Sequence, residues 1–184
     1  METKRLYLRE ETTEILNGVL NQSIQEQLNF FGLQDRRQLQ RDLLKIERKL
    51  QKEVVDWKKW NLVEKDSGIV IGSCGFHNWL IEHERAEIGY LLHEQFRSQG
   101  FMIEALHSMI QFGFAEMHLN RIEAFISPNN LPSNKLISKL GFVQEGLLRE
   151  HYKHENVIHD SLVYSLLKSE YKDLVHDSEW RQNK

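Results

Sequence analysis

Between residues 85 and 117 the chain reads as a strand, a short polar loop ending in glycine, and a helix, and this junction restricts the fold more than any other feature. Arg85 to Leu92 alternates, with Ala86, Ile88, Tyr90 and Leu92 on one face and Glu87, Gly89 and Leu91 on the other. His93 to Gly100 is polar and breaks that pattern. Phe101 to Met117 then carries Met102, Ala105, Leu106, Met109 and Ile110 at helical spacing, a stripe that faces a core. A helix start leaves backbone N–H groups unpaired and bears partial positive charge, which suits a phosphate. Arg97-Ser98-Gln99-Gly100 stands at that start: glycine lets the backbone approach an anion, and Arg97 adds a charge-assisted contact. On local sequence alone a plain helix cap fits the same four residues.

The flanking segments give the rest of the order. Leu6-Tyr7-Leu8 is a first strand, and Glu11 to Phe31 mixes helical stretches with Gly18 and Gly32 as breakers. From Asp35 to Lys52, Leu39, Leu43, Ile46 and Leu50 form the stripe of an amphipathic helix with a highly charged outer face. Trp57 to Glu64 and Ile69 to Phe76 are strands joined by the hairpin-type turn Lys65-Asp66-Ser67-Gly68. Beyond the central helix come a strand at Arg121 to Ile126, a helix near Pro132 to Leu140 closed by Gly141, and two strands meeting around Glu155-Asn156. The order predicts a mixed α/β (α+β) fold with antiparallel pairs at both ends. A length of 184 residues fits one domain, 1–184, and the 10 glycines and 2 prolines sit singly without forming a linker.

Composition narrows the function classes. The net charge of −3 is dispersed, with no basic block to track a nucleic-acid backbone. No apolar run approaches the roughly 18–20 residues that cross a bilayer, and the opening Met1-Glu2-Thr3-Lys4-Arg5 lacks the apolar core of a signal peptide, so a cytoplasmic protein without membrane contact is expected. Cys74 is the only cysteine, which leaves no internal disulfide and no cysteine-based zinc cage.

Several motifs stand in order along most of the chain. They are Lys4-Arg5-Leu6-Tyr7-Leu8-Arg9, Ile71-Gly72-Ser73, Arg85-Ala86-Glu87-Ile88-Gly89-Tyr90, Arg97-Ser98-Gln99-Gly100 and Glu104-Ala105-Leu106. Asn120-Arg121-Ile122-Glu123-Ala124, Asn129-Asn130, Ser133, Lys139-Leu140-Gly141-Phe142, Glu145-Gly146 and Val163-Tyr164-Ser165-Leu166 follow. In their order and spacing these motifs resemble the GNAT superfamily of N-acetyltransferases, and within it the Rim-type enzymes that modify ribosomal-protein N-termini. The resemblance implies a mostly antiparallel sheet splayed at its central strands and flanked by helices, with acetyl-CoA as cosubstrate and no metal. It implies a pyrophosphate held by the amides of Arg97, Ser98, Gln99, Gly100, Phe101 and Met102. A backbone amide near Gly89 to Leu91, with Leu92 beyond it, would hold the thioester oxygen, and Asn130 the pantetheine amide. Met102 departs from the small residue usual at its position, although its side chain can turn into the core while its N–H faces the ligand.

The resemblance also implies Glu87 as general base and Ser133 as proton donor to the thiolate, because the family tyrosine before the Gly-Phe pair is Ile137 here. The bland alternatives stand beside each: a carboxylate paired on a solvated face, and a capping or first-turn serine. Where some Rim-type enzymes carry a second glutamate this chain has Tyr152, with Glu150 and His151 nearby. His151, His154 and His159 are expected to be ordinary cleft or solvent histidines, Cys74 a core residue, and Trp57, Trp60 and Trp79 core or groove aromatics. The acceptor is expected to be an amine, foremost a peptide α-amine of ribosomal-protein type. A polyamine or aminoglycoside, drawing on Glu82, Glu84, Glu145 and Glu150, and a CoA-binding module without turnover are the alternatives, and a homodimer is left open.

Overall fold

The computed structural model describes residues 1–51, 55–154 and 156–171; Lys52 and Glu155, which the sequence assigns to a helix end and a turn, lie outside them. Among the described residues seven strands, β1 to β7 in chain order, follow the sheet order β1-β2-β3-β4-β5-β7-β6. The chain forms two compact units, Met1–His77 with Gly89–Met109, and Asn78–Ile88 with the residues from Ile110 onward.

In the first unit, β1 (Leu6–Glu10) pairs antiparallel with β2 (Lys58–Glu64), and β2 with the first part of β3 (Val70–Leu80). Between β1 and β2 lie α1 (Thr13–Leu20), α2 (Ile24–Phe31) and α3 (Arg36–Leu50). Each begins at a side-chain cap, Thr12, Ser23 and Asp35, and Ser23 with Glu26 completes a reciprocal capping box. The expected break at Gly18 does not occur. Gly18 sits inside α1, where the buried Leu16 and Val19 hold the turn, and the helix ends instead at Asn21. Gly32 is the expected breaker: it closes α2 with φ 66°, which costs a glycine nothing. Leu39 and Ile46 of α3 pack with Leu16, Val19, Leu28, Phe31 and Trp57, and Leu43 and Leu50 lie against that cluster. Trp60 is buried on β2 and meets Phe76 edge-on at 6.5 Å. Trp57 and Trp60 are thus core side chains, each contributing roughly 2–3 kcal/mol by burial.

β4 (Arg85–Leu92) has the bounds that its alternation predicts, and its first residues belong to the second unit. There it pairs in parallel with β5 (Arg121–Ile126) from Arg85↔Arg121 to Glu87↔Glu123, and β4 runs on to Leu92 outside that short register. A parallel pair needs a crossover, and α4 (Phe101–Ala115) supplies it. The helix expected to Met117 stops at Ala115, and its stripe Met102, Ala105, Leu106, Met109 and Ile110 is buried as expected. After α5 (Leu131–Lys139), β6 (Val143–His154) and β7 (Val157–Leu167) form an antiparallel hairpin, and β7 pairs with β5. No helix among the described residues is long and apolar enough to cross a membrane.

Candidate functional site

In the first unit, β3 and β4 approach closely because residue 72 has no side chain: a Cβ there would lie 2.2 Å from the Leu91 carbonyl oxygen. Leu91 is half exposed and Leu92 less so, and the Leu92 carbonyl accepts a hydrogen bond from Arg97 Nε at 3.2 Å. That bond folds the loop back under the strand end and leaves Arg97 exposed. Ser98 and Gly100 both take left-handed backbone angles, φ 61° and 82°, and Arg97 to Gly100 are all exposed. Gln99 is held twice, its Nε2 donating to the Gln95 carbonyl at 2.8 Å and its own carbonyl accepting from Arg5 Nη1 at 2.9 Å. Phe101 and Met102 open α4 with buried side chains. Met102 therefore turns into the core, and its bulk does not obstruct the exposed loop before it. A left-handed turn leading into a 15-residue helix is suited to present N–H groups to an anion.

In the second unit, Glu87 is half-buried on β4, and its Oε2 accepts a hydrogen bond from Asn78 Nδ2 at 2.9 Å. Asn130, not Ser133, is the cap of α5: its Oδ1 accepts from the Ser133 N–H at 3.3 Å. Ser133 is the third residue of the helix, and its hydroxyl plays no part in that bond. Glu145 accepts a bidentate pair from Arg121 and a bond from Ser165, Arg121 first and Ser165 second in holding its carboxyl at about 2. Arg121 also bonds Glu123, which bonds Arg85, so one chain of ion pairs links β4, β5 and β6, and the Ser165 hydroxyl ties it to β7. On the hairpin, Tyr152 stacks on His159 with ring centres 5.0 Å apart, and His151 Nδ1 lies 3.0 Å from Ser161 Oγ. Glu150 has φ 54° in an irregular stretch of β6, and its N–H donates to Asp160. Among the described residues no group of three or more His, Cys, Asp or Glu could hold a metal ion.

The first unit also holds a cavity of about 230 Å³. Leu16, Phe31, Ile46 and Trp57 form its apolar wall, Glu11, Asn61 and His93 its polar one, and Leu91 belongs to its lining. Glu11 is 3% exposed and salt-bridged to Lys59 at 2.9 Å, and Asp42 pairs with Lys45 at 3.2 Å. Burial holds the His93 imidazole below its ordinary range, so it is neutral near pH 7. Sequence reasoning did not single out Glu11 or His93, because nothing in their spacing brings the end of β1 beside the end of β4.

Residues 5–143 match the family model described as an acetyltransferase (GNAT) domain. The chain belongs to the GNAT acetyltransferase family. Its enzyme class is that of an N-acetyltransferase, and its cosubstrate acetyl-CoA. The chain is 43% identical over 113 residues to the uncharacterized N-acetyltransferase p20 of Bacillus licheniformis, covering 61% of this chain and 64% of p20. It is 31% identical to the uncharacterized N-acetyltransferase YoaA of Bacillus subtilis over 91% of this chain and 96% of YoaA. The [ribosomal protein uS5]-alanine N-acetyltransferase of Escherichia coli is 30% identical over 50% of this chain and 48% of its own length, in keeping with a Rim-type member. Among solved structures, a GNAT-family acetyltransferase from Bacillus anthracis aligns with TM-score 0.66 and 22% identity over 92% of this chain and 99% of its own. The spermidine/spermine N-acetyltransferase SpeG of Vibrio cholerae aligns with TM-score 0.69 and 16% identity over 92% and 98%. Both structural likenesses concern the fold. The glycine-ended loop, the alternation of β4 and the buried stripe of α4 are the parts of this GNAT fold that were legible in the sequence.

Proposed function

We propose that the chain, acting over residues 1–184 as one catalytic domain, transfers the acetyl group of acetyl-CoA to the α-amine of a protein or peptide N-terminus. The observation that carries the choice of acceptor is the pairing of carboxylates. Glu11 and Asp42 at the cavity are each bonded to a lysine, and Glu145 is chelated by Arg121. A polyamine or aminoglycoside carries several positive charges and calls for carboxylates left uncompensated. An α-amine carries one charge at most and has an ordinary pKa of about 7.7–8.0, against about 10.4 for a lysine side chain, so a weak base suffices to free it. The named activity of the Escherichia coli relative, on the alanine of uS5, supports the same acceptor class.

In this reading the N–H groups from Arg97 to Met102 hold the pyrophosphate, with Arg97 adding charge. A backbone amide of β4 near Leu91 and Leu92 polarises the thioester carbonyl. Asn130 binds the pantetheine amide through its side-chain NH₂, since its Oδ1 caps α5. Glu87 takes the proton from the attacking amine, and the Ser133 hydroxyl gives one to the departing thiolate. The hydrogen bond that Asn78 donates to Glu87 Oε2 supports a fixed orientation of that carboxylate.

The test compares short peptides with Ser, Ala or Met N-termini, free and α-blocked, with spermidine and an aminoglycoside, scoring kcat/KM. The expected result is turnover of free peptides and loss on blocking. Turnover of spermidine with none of any peptide would replace the acceptor. Stabilisation by CoA with no turnover of any amine would leave a binding module.

A further inference from the structure

Arg5, the residue just before β1, bonds at one end to the loop that precedes α4 and at the other to the first turn of α4 itself. Its Nη1 donates to the Gln99 carbonyl at 2.9 Å, and its Nε donates to Glu104 Oε2 at 2.7 Å. Its backbone N–H reaches the other Glu104 oxygen at 2.7 Å, where Thr3 Oγ1 also donates. The guanidinium lies over the Phe101 ring, 4.3 Å from its centre. A Cβ on Gly100 would come 3.3 Å from Arg5 Nη2. Burial disfavours the Glu104 carboxylate, but the bonds from Thr3 and Arg5 outweigh it and hold its carboxyl below the ordinary range.

We infer that Arg5 and Glu104 are positioning residues for cosubstrate binding: together they set the direction in which the Gly100 N–H points. The inference rests on the assignment of this loop to the pyrophosphate. In a trans peptide the C=O of one residue and the N–H of the next point in opposite directions. All described peptide bonds are trans. Pinning the Gln99 carbonyl to Arg5 therefore turns the Gly100 N–H away from the Arg5 Nη1 that holds that carbonyl. The left-handed angle at Gly100 lets the backbone hold that plane while passing into α4. Glu104 needs the pairing for a second reason. A carboxylate in the first turn of the helix would repel the anion that the helix start is meant to bind, and Arg5 neutralises it. One planar fork performs both tasks, which a lysine's single ammonium cannot do at these two separate positions.

The test measures acetyl-CoA affinity by calorimetry, and kcat/KM with acetyl-CoA and with acetyl-pantetheine, which has the same thioester but no pyrophosphate. Arg5→Ala and Arg5→Lys are each expected to weaken acetyl-CoA by roughly tenfold, the scale of one lost charge-assisted bond. Both should leave kcat/KM for acetyl-pantetheine unchanged. Arg5→Ala/Glu104→Ala is expected to recover only part of the lost acetyl-CoA affinity, because removing the carboxylate relieves its repulsion of the anion but does not re-aim the peptide. A folded Arg5→Ala with wild-type affinity overturns the inference, as does a parallel fall with acetyl-pantetheine. So does full recovery of wild-type affinity in the double variant, which would reduce Arg5 to a neutraliser of Glu104. If the wild-type protein itself shows no preference for acetyl-CoA over acetyl-pantetheine, the loop assignment fails, and that outcome is separate from these.

Discussion

Replacing Gly100 separates charge from backbone at the loop. Gly100→Ala adds only a Cβ, which meets Arg5 Nη2 at 3.3 Å, the movable end of a long side chain. Its main cost is the left-handed angle, φ 82°, roughly 1–2 kcal/mol for an L-residue. That cost is present with and without ligand, so it lowers stability and leaves affinity nearly unchanged. Gly100→Asp adds a carboxylate at the same point. Two pyrophosphate charges at about 5 Å, through an effective dielectric of about 40 for an exposed loop, repel it by roughly 3 kcal/mol. The neighbouring Arg5 guanidinium offsets part of this, so the loss of acetyl-CoA affinity should fall between about tenfold and a hundredfold. Calorimetric titration of both variants, repeated at high salt where the gap should narrow, reads the difference directly. Equal affinities for folded Gly100→Ala and Gly100→Asp would mean that no anion binds there, and the cosubstrate assignment of the loop would be lost.

Three further outcomes are expected. Glu87→Gln should lower kcat by about a hundredfold and flatten its rise with pH while sparing acetyl-CoA affinity, whereas Ser133→Ala should slow turnover without moving that limb; an unchanged profile in Glu87→Gln would shift the base to Glu150 or His151. Glu145, held at about 2 in the folded chain against 4.5, contributes stability that is complete above pH 4.5 and is lost as pH falls toward 2. With the carboxylate 41% exposed, that contribution is discounted to about 1 kcal/mol; the urea-melt gap between wild type and Glu145→Gln should close between those pH values, and a constant gap would contradict the linkage. Gly72→Ala places a methyl 2.2 Å from the Leu91 carbonyl, backbone that cannot swing aside, so a thermal melt should show destabilisation of about 2 kcal/mol or more, and an unaltered Tm would refute the close approach.

The strands β4 and β5 were legible with both their bounds, whereas α4 ends at Ala115, two residues short of the bound that periodicity placed at Met117. β4 and β5 alternate without interruption, and the buried stripes of α3 and α4 lie where three- and four-residue steps place them. Gly18 misled because a glycine in an exposed helix turn costs only about 1 kcal/mol, which Leu16, Val19 and the Thr12 cap outweigh. Gly32 did not mislead, because its backbone angle is one that a side chain resists. The loop before α4 was visible as a local motif, but what holds it was not. Arg5 and Glu104 both stand in the motifs that carry the family resemblance, yet no local pattern links residues so far apart. The same holds for Arg121 with Glu145, and for the meeting of Glu11 and His93 at one cavity. Ser133 was read as a capping or first-turn residue from its place after a proline; it is the first-turn residue, and the cap is Asn130, since the helix begins one residue before Pro132.

Cys74 has a practical consequence for every assay named above. It is the chain's only thiol, it is buried in the first unit, and desolvation pushes it up to about 12 despite the nearby Lys59 charge. A disulfide dye added at neutral pH will therefore be consumed by free CoA long before it reaches the folded protein. Acetyl transfer can be followed by colour with almost no background from the enzyme. The slow labelling that does occur will count how often the first unit opens, giving a stability gauge for each variant in the same cuvette.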